Sequence, residues 1–425
     1  MTARPLHAVL LPPASGAGRL MDLLAAALDG SGPAILPVDP GLPPARVAAL
    51  LNALAPATIE TTQGTERLPA SRSPTPGGGP ALRGATAGLL PGTAVVIATS
   101  GSTGEPKGVE LSAAALLYSA RASLDRIGAR PGDAWLSCLP PSHIAGLQVF
   151  IRSLLAGTAP VVRDRLDGAI AAAAGGQFVS VVPTQLRRIV DGPDARAALS
   201  GFRRILLGGA AVPPGLLESA RSAGGNVTTT YGMTETCGGC VYDHIPLDGV
   251  SVEVGAGGRI RIAGPMLFSG YRGRPDLTGQ AMDGRWFVTS DVGERDPAGR
   301  LAVLGRADGM INTGGEKVAA DEVAAALEAS PGVREAAVVG QPDAEWGERV
   351  TAIIVPADPS APPAPADLRA QLRGRLPDFA LPRALILVAA LPLLPSGKPD
   401  LQALRALAAR AQAIGGERRR DDTGG

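Results

Sequence analysis

The sequence has little of several features that would assign it to a common class of protein. Its 425 residues include three cysteines, too few for a disulfide framework. The net charge is +1, so no basic surface for nucleic acid is visible. The longest apolar run near the C-terminus, residues 384–395, is interrupted by Pro392 and is too short to span a bilayer. The proline-ended N-terminal segment makes a poor signal peptide. We therefore expect a cytoplasmic protein without a membrane span, long enough for two or three domains.

Lysine is also scarce. Only three of the 40 basic residues are lysines, and each stands beside a glycine-containing turn: Lys107 in EPKGV, Lys317 in GGEKV and Lys398 in PSGKPD. An ammonium is a compact charge on a flexible stem, which a planar guanidinium cannot replace. Because the chain uses arginine almost everywhere else, Lys107 and Lys398 are candidates for chemistry. For Lys317 an ordinary surface position is the alternative.

Candidate strands and helices alternate from residue 93 onward. The strand-like runs are TAVVIATS, DAWLSCLP, APVVRD, FVSVVP, RILLGG and NVTTTYG, and helical stretches such as residues 113–128, with Ser112 as N-cap, separate them. This alternation predicts an α/β fold with doubly wound, mostly parallel sheets. Ligands of such sheets collect at the carboxyl ends of the strands. The loops at residues 98–108, 207–213 and 230–236 are therefore predicted to meet at one edge.

The pattern also predicts a large and a small domain. Residues 1–305 are expected to form the large domain, with a Pro-, Gly- and Ser-rich loop or linker at residues 62–92 and a β-rich subdomain at residues 241–305. Residues 306–413 are expected to form a small α+β domain, with helices at 320–329 and 366–376 and strands at 333–340, 349–356 and 383–390. Residues 414–425 are predicted to be a disordered tail.

The stretch ATSGSTGEPKGVELS, residues 98–112, has the composition of a phosphate-binding loop. Its hydroxyls and exposed glycine amides can bind phosphate oxygens, and Lys107 adds a positive charge. The stretch does not match the P-loop template, because Pro106 replaces the second glycine and Gly108 stands where a magnesium-binding Ser or Thr is required. An ordinary Gly/Ser turn is the alternative.

Five motifs follow one another along the chain: TSGSTGEPKG at 99–108, YGMTET at 231–236, TSDVGERD at 289–296, GRADGMINTGGEKV at 305–318 and PSGKPD at 395–400. Over about residues 90–410 the set resembles the adenylate-forming superfamily of acyl-CoA synthetases, adenylation domains and luciferases. The resemblance implies that ATP activates a carboxylic acid as an acyl-adenylate with release of pyrophosphate, and that the acyl group then passes to a thiol, commonly that of CoA. It also implies that Mg2+ takes part and that the small domain rotates between the two half-reactions.

The resemblance places the β- and γ-phosphates of ATP in the first motif, a loop that need only bind the departing pyrophosphate. Glu235 and Thr103 are the predicted magnesium ligands, since their oxygens suit that ion. Asp291 is expected to accept hydrogen bonds from the ribose hydroxyls, and Arg306 to approach the same ribose. An ordinary turn aspartate and a helix-start glutamate are the alternatives. The predicted residues for ATP and AMP are Thr99, Ser100, Gly101, Ser102, Thr103, Gly104, Lys107, Gly209, Ala210, Ala211, Tyr231, Gly232, Met233, Thr234, Asp291 and Arg306.

Three residues are predicted to be catalytic: Lys398, Lys107 and His143. Lys398 would stabilise the negative charge that builds on the α-phosphate during adenylation, so the small domain must carry it in and then remove it. Asp308 matches the family's hinge position. By the same resemblance, Gly314 and Gly315 would line the path of the CoA pantetheine.

Finer matches lie in residues 139–154, 181–191, 205–214 and 231–250. These segments resemble the short actinobacterial-type 2-succinylbenzoate–CoA ligases of menaquinone biosynthesis, and the short region before the phosphate loop agrees. The implied substrate is an aromatic keto-dicarboxylate whose aliphatic carboxylate is activated. Arg152 and Arg188 are candidates to bind the second carboxylate, with an ordinary helix surface as the alternative. The residues predicted to line the acid site are His143, Thr184, Gln185, Gly232 and Gly238.

Three other functions remain open at this stage: another acyl- or aryl-CoA synthetase, a stand-alone adenylation domain that loads a carrier protein, and a non-catalytic nucleotide-binding module. An amino-acid adenylation domain would normally place an acidic residue near His143, and PPSHIAGLQ contains none. The lysines and acidic residues of the five motifs disfavour a non-catalytic module. Cys237 and Cys240 form a C-x-x-C without a second pair, so small loop residues beside the substrate are preferred over a metal site. Monomer and homodimer are both compatible with the sequence.

Overall fold

The computed structural model describes residues 4–69, 88–100, 106–173, 175–212, 215–313, 316–343, 346–373, 375–394 and 399–421. The strands are β1 Leu6–Val9, β2 Ala34–Pro37, β3 Thr58–Thr61, β4 Gly64–Arg67, β5 Thr93–Ser100, β6 Pro106–Ser112, β7 Trp135–Ser137, β8 Val161–Val162, β9 Phe178–Val181, β10 Arg204–Leu207, β11 Val227–Met233, β12 Gly238–Tyr242, β13 Ile245–Pro246, β14 Ser251–Val254, β15 Arg259–Ala263, β16 Gly270–Tyr271, β17 Met282–Asp283, β18 Trp286–Arg295, β19 Leu301–Arg306, β20 Met310–Thr313, β21 Glu316–Ala319, β22 Val333–Asp343, β23 Gly347–Pro356 and β24 Ala384–Leu387.

The α-helices are α1 Pro13–Asp29, α2 Pro44–Leu54, α3 Ala113–Ile127, α4 Ile144–Ala156, α5 Gly168–Ala172, α6 Pro183–Val190, α7 Ala195–Ser200, α8 Leu216–Ser222, α9 Pro275–Ala281, α10 Ala320–Glu328, α11 Pro365–Leu372 and α12 Leu401–Asp421. Among the described helices, none combines the length and the hydrophobicity needed to cross a bilayer.

The chain folds into two compact units. The first comprises the described parts of residues 1–209, 220–253 and 261–288, and the second those of residues 210–219, 254–260 and 289–425. The second unit thus begins before residue 306, because β19 pairs with the later half of β18 and contacts α10. The predicted functional boundary at residue 306 stays a prediction.

The first unit contains two seven-stranded sheets. One has the order β16-β6-β5-β2-β1-β3-β4, and its central strands β5, β2, β1 and β3 are parallel. The other has the order β13-β12-β11-β10-β9-β7-β8, and the strands from β11 to β8 are parallel. Antiparallel strands lie at the edges of both sheets. The predicted α/β fold with doubly wound, mostly parallel sheets is confirmed.

Helices α3 and α4 bring the two sheets into one core. Helix α3 contacts β5 and β6 of the first sheet and β12 of the second, and α4 contacts β7, β9 and β12. Helix α3 begins where the sequence predicts, because the Oγ of Ser112 accepts a hydrogen bond from the backbone N–H of Ala115 at 3.1 Å. Ten of the thirteen residues of α4 are buried. Polar groups on α4 therefore lie inside the protein and must find partners there.

The second unit is built around the sheet β21-β20-β23-β22, with β24 paired to β23. Its helices and strands lie close to the predicted positions at 320–329, 333–340, 349–356, 366–376 and 383–390. Helix α12 continues through residues 414–421, a stretch for which the sequence favours disorder. Glutamate and arginine in this stretch are good helix formers, and they extend a helix already begun at Leu401 in spite of Gly415 and Gly416. Residues 422–425 lie outside the described residues.

Candidate active site

The predicted phosphate loop belongs to an antiparallel hairpin. Strands β5 and β6 pair Thr99 with Lys107 and Ser100 with Pro106, so the loop joins two strands of one sheet before α3 begins. The Oγ1 of Thr99 donates to the backbone oxygen of Lys107 at 3.4 Å. Gly101, Ser102, Thr103 and Gly104 lie outside the described residues, as does the side chain of Ser100. Their predicted contacts with phosphate, and that of Thr103 with magnesium, stay predictions.

The YGMTET motif forms the end of β11 and the single helical turn Thr234–Thr236. The Oγ1 of Thr236 accepts a hydrogen bond from the backbone N–H of Met233 at 2.9 Å and lies 2.7 Å from the carbonyl oxygen of Gly238. Cys237 and Gly238 have positive φ angles of 52° and 101°. A β-carbon on Gly232 would collide with the backbone of Gly238, so this turn requires glycine at position 232. Tyr231, Met233 and Thr234 are half-buried in it.

Glu235, the predicted magnesium ligand, is held by Tyr271. The Tyr271 hydroxyl donates to Oε1 of Glu235 at 2.8 Å, and the ammonium of Lys107 lies 5.6 Å from the centroid of the Tyr271 ring. Burial, and then the neighbouring Glu235 carboxylate, raises the pKa of the Tyr271 phenol above its usual range, so the hydroxyl stays protonated and remains a donor. Among the described residues, none donates a hydrogen bond to Oε2 of Glu235. This second oxygen fits a hard cation such as Mg2+.

His143 stands at the N-terminus of α4. Its backbone N–H donates to the carbonyl oxygen of Pro140 at 3.1 Å, which closes the PPSH turn. A β-carbon on Gly146 would collide with the backbone of Leu139 and Pro140, so this glycine allows the helix to start against the turn. Gly238, predicted in the acid site, lies beside α4, since a β-carbon there would be 3.4 Å from Cγ of Gln148.

Thr184 and Gln185 lie in the first turn of α6 and are half-buried. Both the oxygen and the nitrogen of the Gln185 side-chain amide form hydrogen bonds with the backbone. Its Oε1 accepts from the N–H of Val182 at 3.2 Å, and its Nε2 donates to the carbonyl oxygen of Cys138 at 3.1 Å. Gln185 therefore connects α6 to the segment after β7, and the predicted contact of both residues with the acid stays a prediction.

The two arginines proposed for the second carboxylate differ sharply in burial. Arg188 is exposed on α6, whereas Arg152 on α4 is 4% exposed. The Arg152 guanidinium lies 4.2 Å from the centroid of the Trp135 ring. Its hydrogen bonds go to neutral oxygens: the carbonyl of Gln148 at 3.0 Å, Oγ of Ser123 at 3.2 Å and Oγ of Ser180 at 3.1 Å. The helix-surface alternative is wrong for Arg152.

In the second unit, Asp291 and Arg306 are directly paired across β18 and β19. Ala210 and Ala211 are exposed there, and Gly209, exposed in the first unit, has a φ of 85°. Lys398, Gly314 and Gly315 lie outside the described residues, as does the side chain of Asp308. Their predicted roles stay predictions.

Comparison with known proteins identifies the family to which this chain belongs. Residues 90–256 match the family model described as "AMP-binding enzyme", and residues 322–398 match "AMP-binding enzyme C-terminal domain". A "Probable 2-succinylbenzoate--CoA ligase" of Mycobacterium tuberculosis (strain H37Rv) is 45% identical over 322 residues, covering 73% of this chain and 83% of the relative. This chain belongs to the AMP-binding enzyme family. The resemblance to the adenylate-forming superfamily is thereby confirmed.

Another relative and two solved structures extend the comparison. The 2-succinylbenzoate–CoA ligase of Geobacillus kaustophilus (strain HTA426) is 34% identical over 324 residues, 70% of this chain and 66% of the relative. ATP-bound MatB from Rhodopseudomonas palustris superposes with a TM-score of 0.81 at 25% identity, covering 96% of this chain and 89% of MatB. The Bacillus subtilis o-succinylbenzoate CoA synthetase MenE, bound to the intermediate OSB-AMP, gives a TM-score of 0.77 at 24% identity, covering 94% and 87%. This last likeness supports the fold.

Two residues near the site of this AMP-binding enzyme escaped prediction. Tyr271 is 36 residues from Glu235 in sequence and stands in a two-residue strand, which has no hydrophobic period. Its position within the glycine-containing stretch SGYRG was the one available signal. Gln148 donates from Nε2 to the carbonyl oxygen of Cys237 at 2.7 Å, while its Oε1 is buried without a partner among the described residues. Gln148 and Arg152 lie one helical turn apart and so point to the same side of α4.

Proposed function

We propose that this AMP-binding enzyme is a 2-succinylbenzoate–CoA ligase. It would activate the succinyl carboxylate of 2-succinylbenzoate with ATP, release pyrophosphate, and transfer the acyl group from the adenylate to CoA, giving 2-succinylbenzoyl-CoA and AMP for menaquinone biosynthesis. The 45% identity with the mycobacterial relative supports this assignment. The observation that carries it within the structure is the buried guanidinium of Arg152.

Arg152 has the features of a binding group for a second carboxylate. A buried charge is costly unless an opposite charge accompanies it, and burial lowers the pKa of this guanidinium by disfavouring its charged form. Among the described residues, no carboxylate lies within ion-pair distance of it. The ring carboxylate of 2-succinylbenzoate would supply the missing negative charge, which an acid with a single carboxylate cannot do once that group is consumed in adenylation.

The surroundings of Arg152 also contain polar groups without partners. The indole N–H of Trp135, beneath the guanidinium, is buried and unbonded among the described residues, and it could donate to a carboxylate. Oε1 of Gln148 is also buried and unbonded among them, but as an acceptor it could only face a donor. The hydroxyls of Ser123 and Tyr242 lie 2.7 Å apart and form one side of the cluster. Such unsatisfied groups are rare inside proteins and often mark a place that a ligand completes. The donors of Trp135, Arg152, Ser123 and Ser180 therefore form our proposed carboxylate subsite.

The remaining residues would divide the adenylation between them. Thr99, Lys107 and the loop between them would bind the β- and γ-phosphates, while Asp291 and Arg306 would orient the ribose. Glu235 would hold Mg2+, which neutralises phosphate charge when bound, through Oε2. Lys398 would stabilise the charge on the α-phosphate as the acid oxygen attacks and pyrophosphate leaves. The small domain, turning at Asp308, would then remove Lys398 and present Gly314 and Gly315 to the CoA thiol arm.

The experiment compares two acids in two variants. Wild type and Arg152→Met are assayed for CoA-thioester formation with 2-succinylbenzoate and with 4-oxo-4-phenylbutanoate, which lacks the ring carboxylate. We expect Arg152→Met to lower kcat/KM about 100-fold for the diacid, since hydrogen bonds to charged groups contribute about 1.5–3 kcal/mol. For the monoacid, the kcat/KM of Arg152→Met should differ from that of wild type by less than about threefold, because methionine fills the buried volume. Arg188→Met, on the exposed face of α6, should behave as wild type.

Three outcomes would count against the proposal. An equal loss with both acids would make Arg152 a structural residue, and a wild type that prefers the monoacid would remove the diacid as substrate. Adenylate formation without transfer to CoA would favour the alternative of an adenylation domain that loads a carrier protein.

A further inference from the structure

Tyr271 is fixed at the base of the phosphate hairpin. Strand β16 pairs with β6 so that Tyr271 faces Val109, and the next backbone N–H, from Arg272, donates to the carbonyl oxygen of Gly108 at 2.7 Å. The ring packs edge-on against Phe268, with the centroids 5.0 Å apart. The N–H of Phe268 donates to the backbone oxygen of Glu235 at 2.8 Å. Residues 268–272 therefore make backbone hydrogen bonds both with the strand that carries Lys107 and with the turn that carries Glu235.

The Tyr271 side chain touches two opposite charges that do not pair with each other. Its hydroxyl donates to Glu235 at 2.8 Å, and the Lys107 ammonium lies over its ring, 5.6 Å from the centroid. Among the described residues, Lys107 and Glu235 form no ion pair with each other: the ammonium lies over the Tyr271 ring and the carboxylate accepts from the Tyr271 hydroxyl. A cation is attracted to the face of an aromatic ring without being neutralised by it. Neither charge is therefore neutralised by the other, and Oε2 of Glu235 and the Lys107 ammonium can both serve an incoming ligand.

We propose that Tyr271 is a positioning residue that separates Lys107 from Glu235 and orients the Glu235 carboxylate toward the metal. This inference rests on the proposed function, because it takes Lys107 as a phosphate group and Glu235 as a magnesium ligand. The hydroxyl occupies Oε1 and leaves Oε2 for the cation. The ring keeps the ammonium from reaching the carboxylate, a contact that would neutralise both groups before ATP arrives.

Two substitutions separate the two roles. Tyr271→Phe keeps the ring and removes the hydroxyl, so Glu235 loses its orientation while Lys107 keeps its place. Tyr271→Leu removes both, and Lys107 is then free to pair with Glu235. Tyr118→Phe is the matched control, because it removes a tyrosine hydroxyl that donates to the backbone oxygen of Asp248 at 2.9 Å, away from these charges.

The measurement is the dissociation constant of α,β-methylene-ATP by calorimetry, with Mg2+ and with EDTA. In wild type and Tyr118→Phe we expect Mg2+ to tighten binding. In Tyr271→Phe the affinity with Mg2+ should fall about tenfold, the usual size of a lost outer-sphere contact to a metal ligand, while the affinity in EDTA stays unchanged. Tyr271→Leu should weaken binding in both conditions. The Mg2+ concentration for half-maximal activity should rise in Tyr271→Phe with kcat nearly restored at saturation.

The double variant gives the decisive comparison. Glu235→Gln should abolish the tightening by Mg2+, and adding Tyr271→Phe to it should cause no further change. The inference is overturned if Tyr271→Phe responds to Mg2+ as wild type does, or if its effect persists in the Glu235→Gln background. A wild type that binds no nucleotide at all would instead overturn the proposed function, and the acid plays no part in this measurement.

Discussion

Asp291 and Arg306 lie directly opposite each other across the antiparallel strands β18 and β19. Directly opposed residues project their side chains from the same face of a sheet. The backbone N–H of Asp291 donates to Oγ1 of Thr289 at 3.0 Å, which fixes the strand at this point. A carboxylate and a guanidinium are thus presented side by side, as the predicted binding of one ribose by both residues requires.

Replacement of Asp291 should weaken ATP binding through the ribose. Asp291→Asn keeps the shape and removes the charge, so hydrogen bonds from the ribose hydroxyls lose about 1.5–3 kcal/mol and KM for ATP should rise about 10- to 100-fold. The measurement is ATP–pyrophosphate exchange with ATP and with 2′,3′-dideoxy-ATP, which lacks both hydroxyls. The dideoxy analogue should be equally poor for wild type and Asp291→Asn.

The matched control for this variant is Asp296→Asn, at an exposed turn where the carboxylate accepts the backbone N–H of Arg300 at 2.8 Å. It should leave KM for ATP unchanged. If Asp291→Asn kept the wild-type preference for ATP over the dideoxy analogue, Asp291 would not contact the ribose.

The strands and helices could be predicted from hydrophobic runs and caps. Strand β5 coincides with the run TAVVIATS, and α3 begins after Ser112 as its capping side chain requires. The hairpin between β5 and β6 could not be predicted in this way. Strand β6 is specified by its pairing with β5 and with β16, a partner more than 150 residues later, and such tertiary contacts override local propensity.

Only the site residues that belong to recognisable motifs could be predicted from the sequence. The motifs supplied Glu235, Asp291 and Arg306, but the position of Arg152 could not be read from periodicity, because α4 is buried on most sides and has no clear polar face. Tyr271 has no motif of its own, and its role depends on a contact made by folding.

Lys398 should be needed for the first half-reaction only. Lys398→Ala removes a cation from the developing charge on the α-phosphate, so adenylate formation should fall by about 10²–10³-fold, the usual effect of losing one such group. Thioester formation from supplied 2-succinylbenzoyl-adenylate and CoA should change little, because in the proposed mechanism the small domain has by then carried Lys398 away. Single-turnover assays of each half-reaction measure this. Arg375→Ala, which removes an exposed positive charge from the second unit outside the five motifs, serves as the control. Equal losses in both half-reactions would contradict the role given to Lys398.

The three thiols should be unreactive while the protein is folded. Cys138, Cys237 and Cys240 are 7%, 0% and 1% exposed. Burial raises the pKa of Cys138 and of Cys240 to about 12, and that of Cys237 is raised as well. Since the thiolate is the reactive form, Ellman's reagent at pH 8 should label almost no thiol in the native protein and three in guanidinium chloride. Cys138→Ser should reduce the denatured count to two. Rapid labelling of any thiol in the native protein would contradict this prediction.

Acid should weaken the first unit through Glu60. This residue is 8% exposed, and its carboxylate accepts hydrogen bonds from Arg19 at 2.7 and 3.0 Å and lies 3.2 Å from Nε2 of His7, which is 5% exposed. The hydrogen bond from Arg19 is the main cause that lowers the pKa of Glu60, with a smaller contribution from His7, against burial, which raises it. A lowered pKa in the folded state means that this stabilisation is complete above the unfolded value of about 4.3 and is lost as the pH falls through the folded value.

Glu60→Gln should therefore lower the free energy of unfolding by about 1–3 kcal/mol at pH 7. It should also make that free energy less dependent on pH between 5 and 3, as measured by urea unfolding. Glu66→Gln, the same change on the exposed strand β4 beside β3, is the control. If both variants lost stability in parallel with wild type as the pH fell, Glu60 would not be a source of the acid sensitivity.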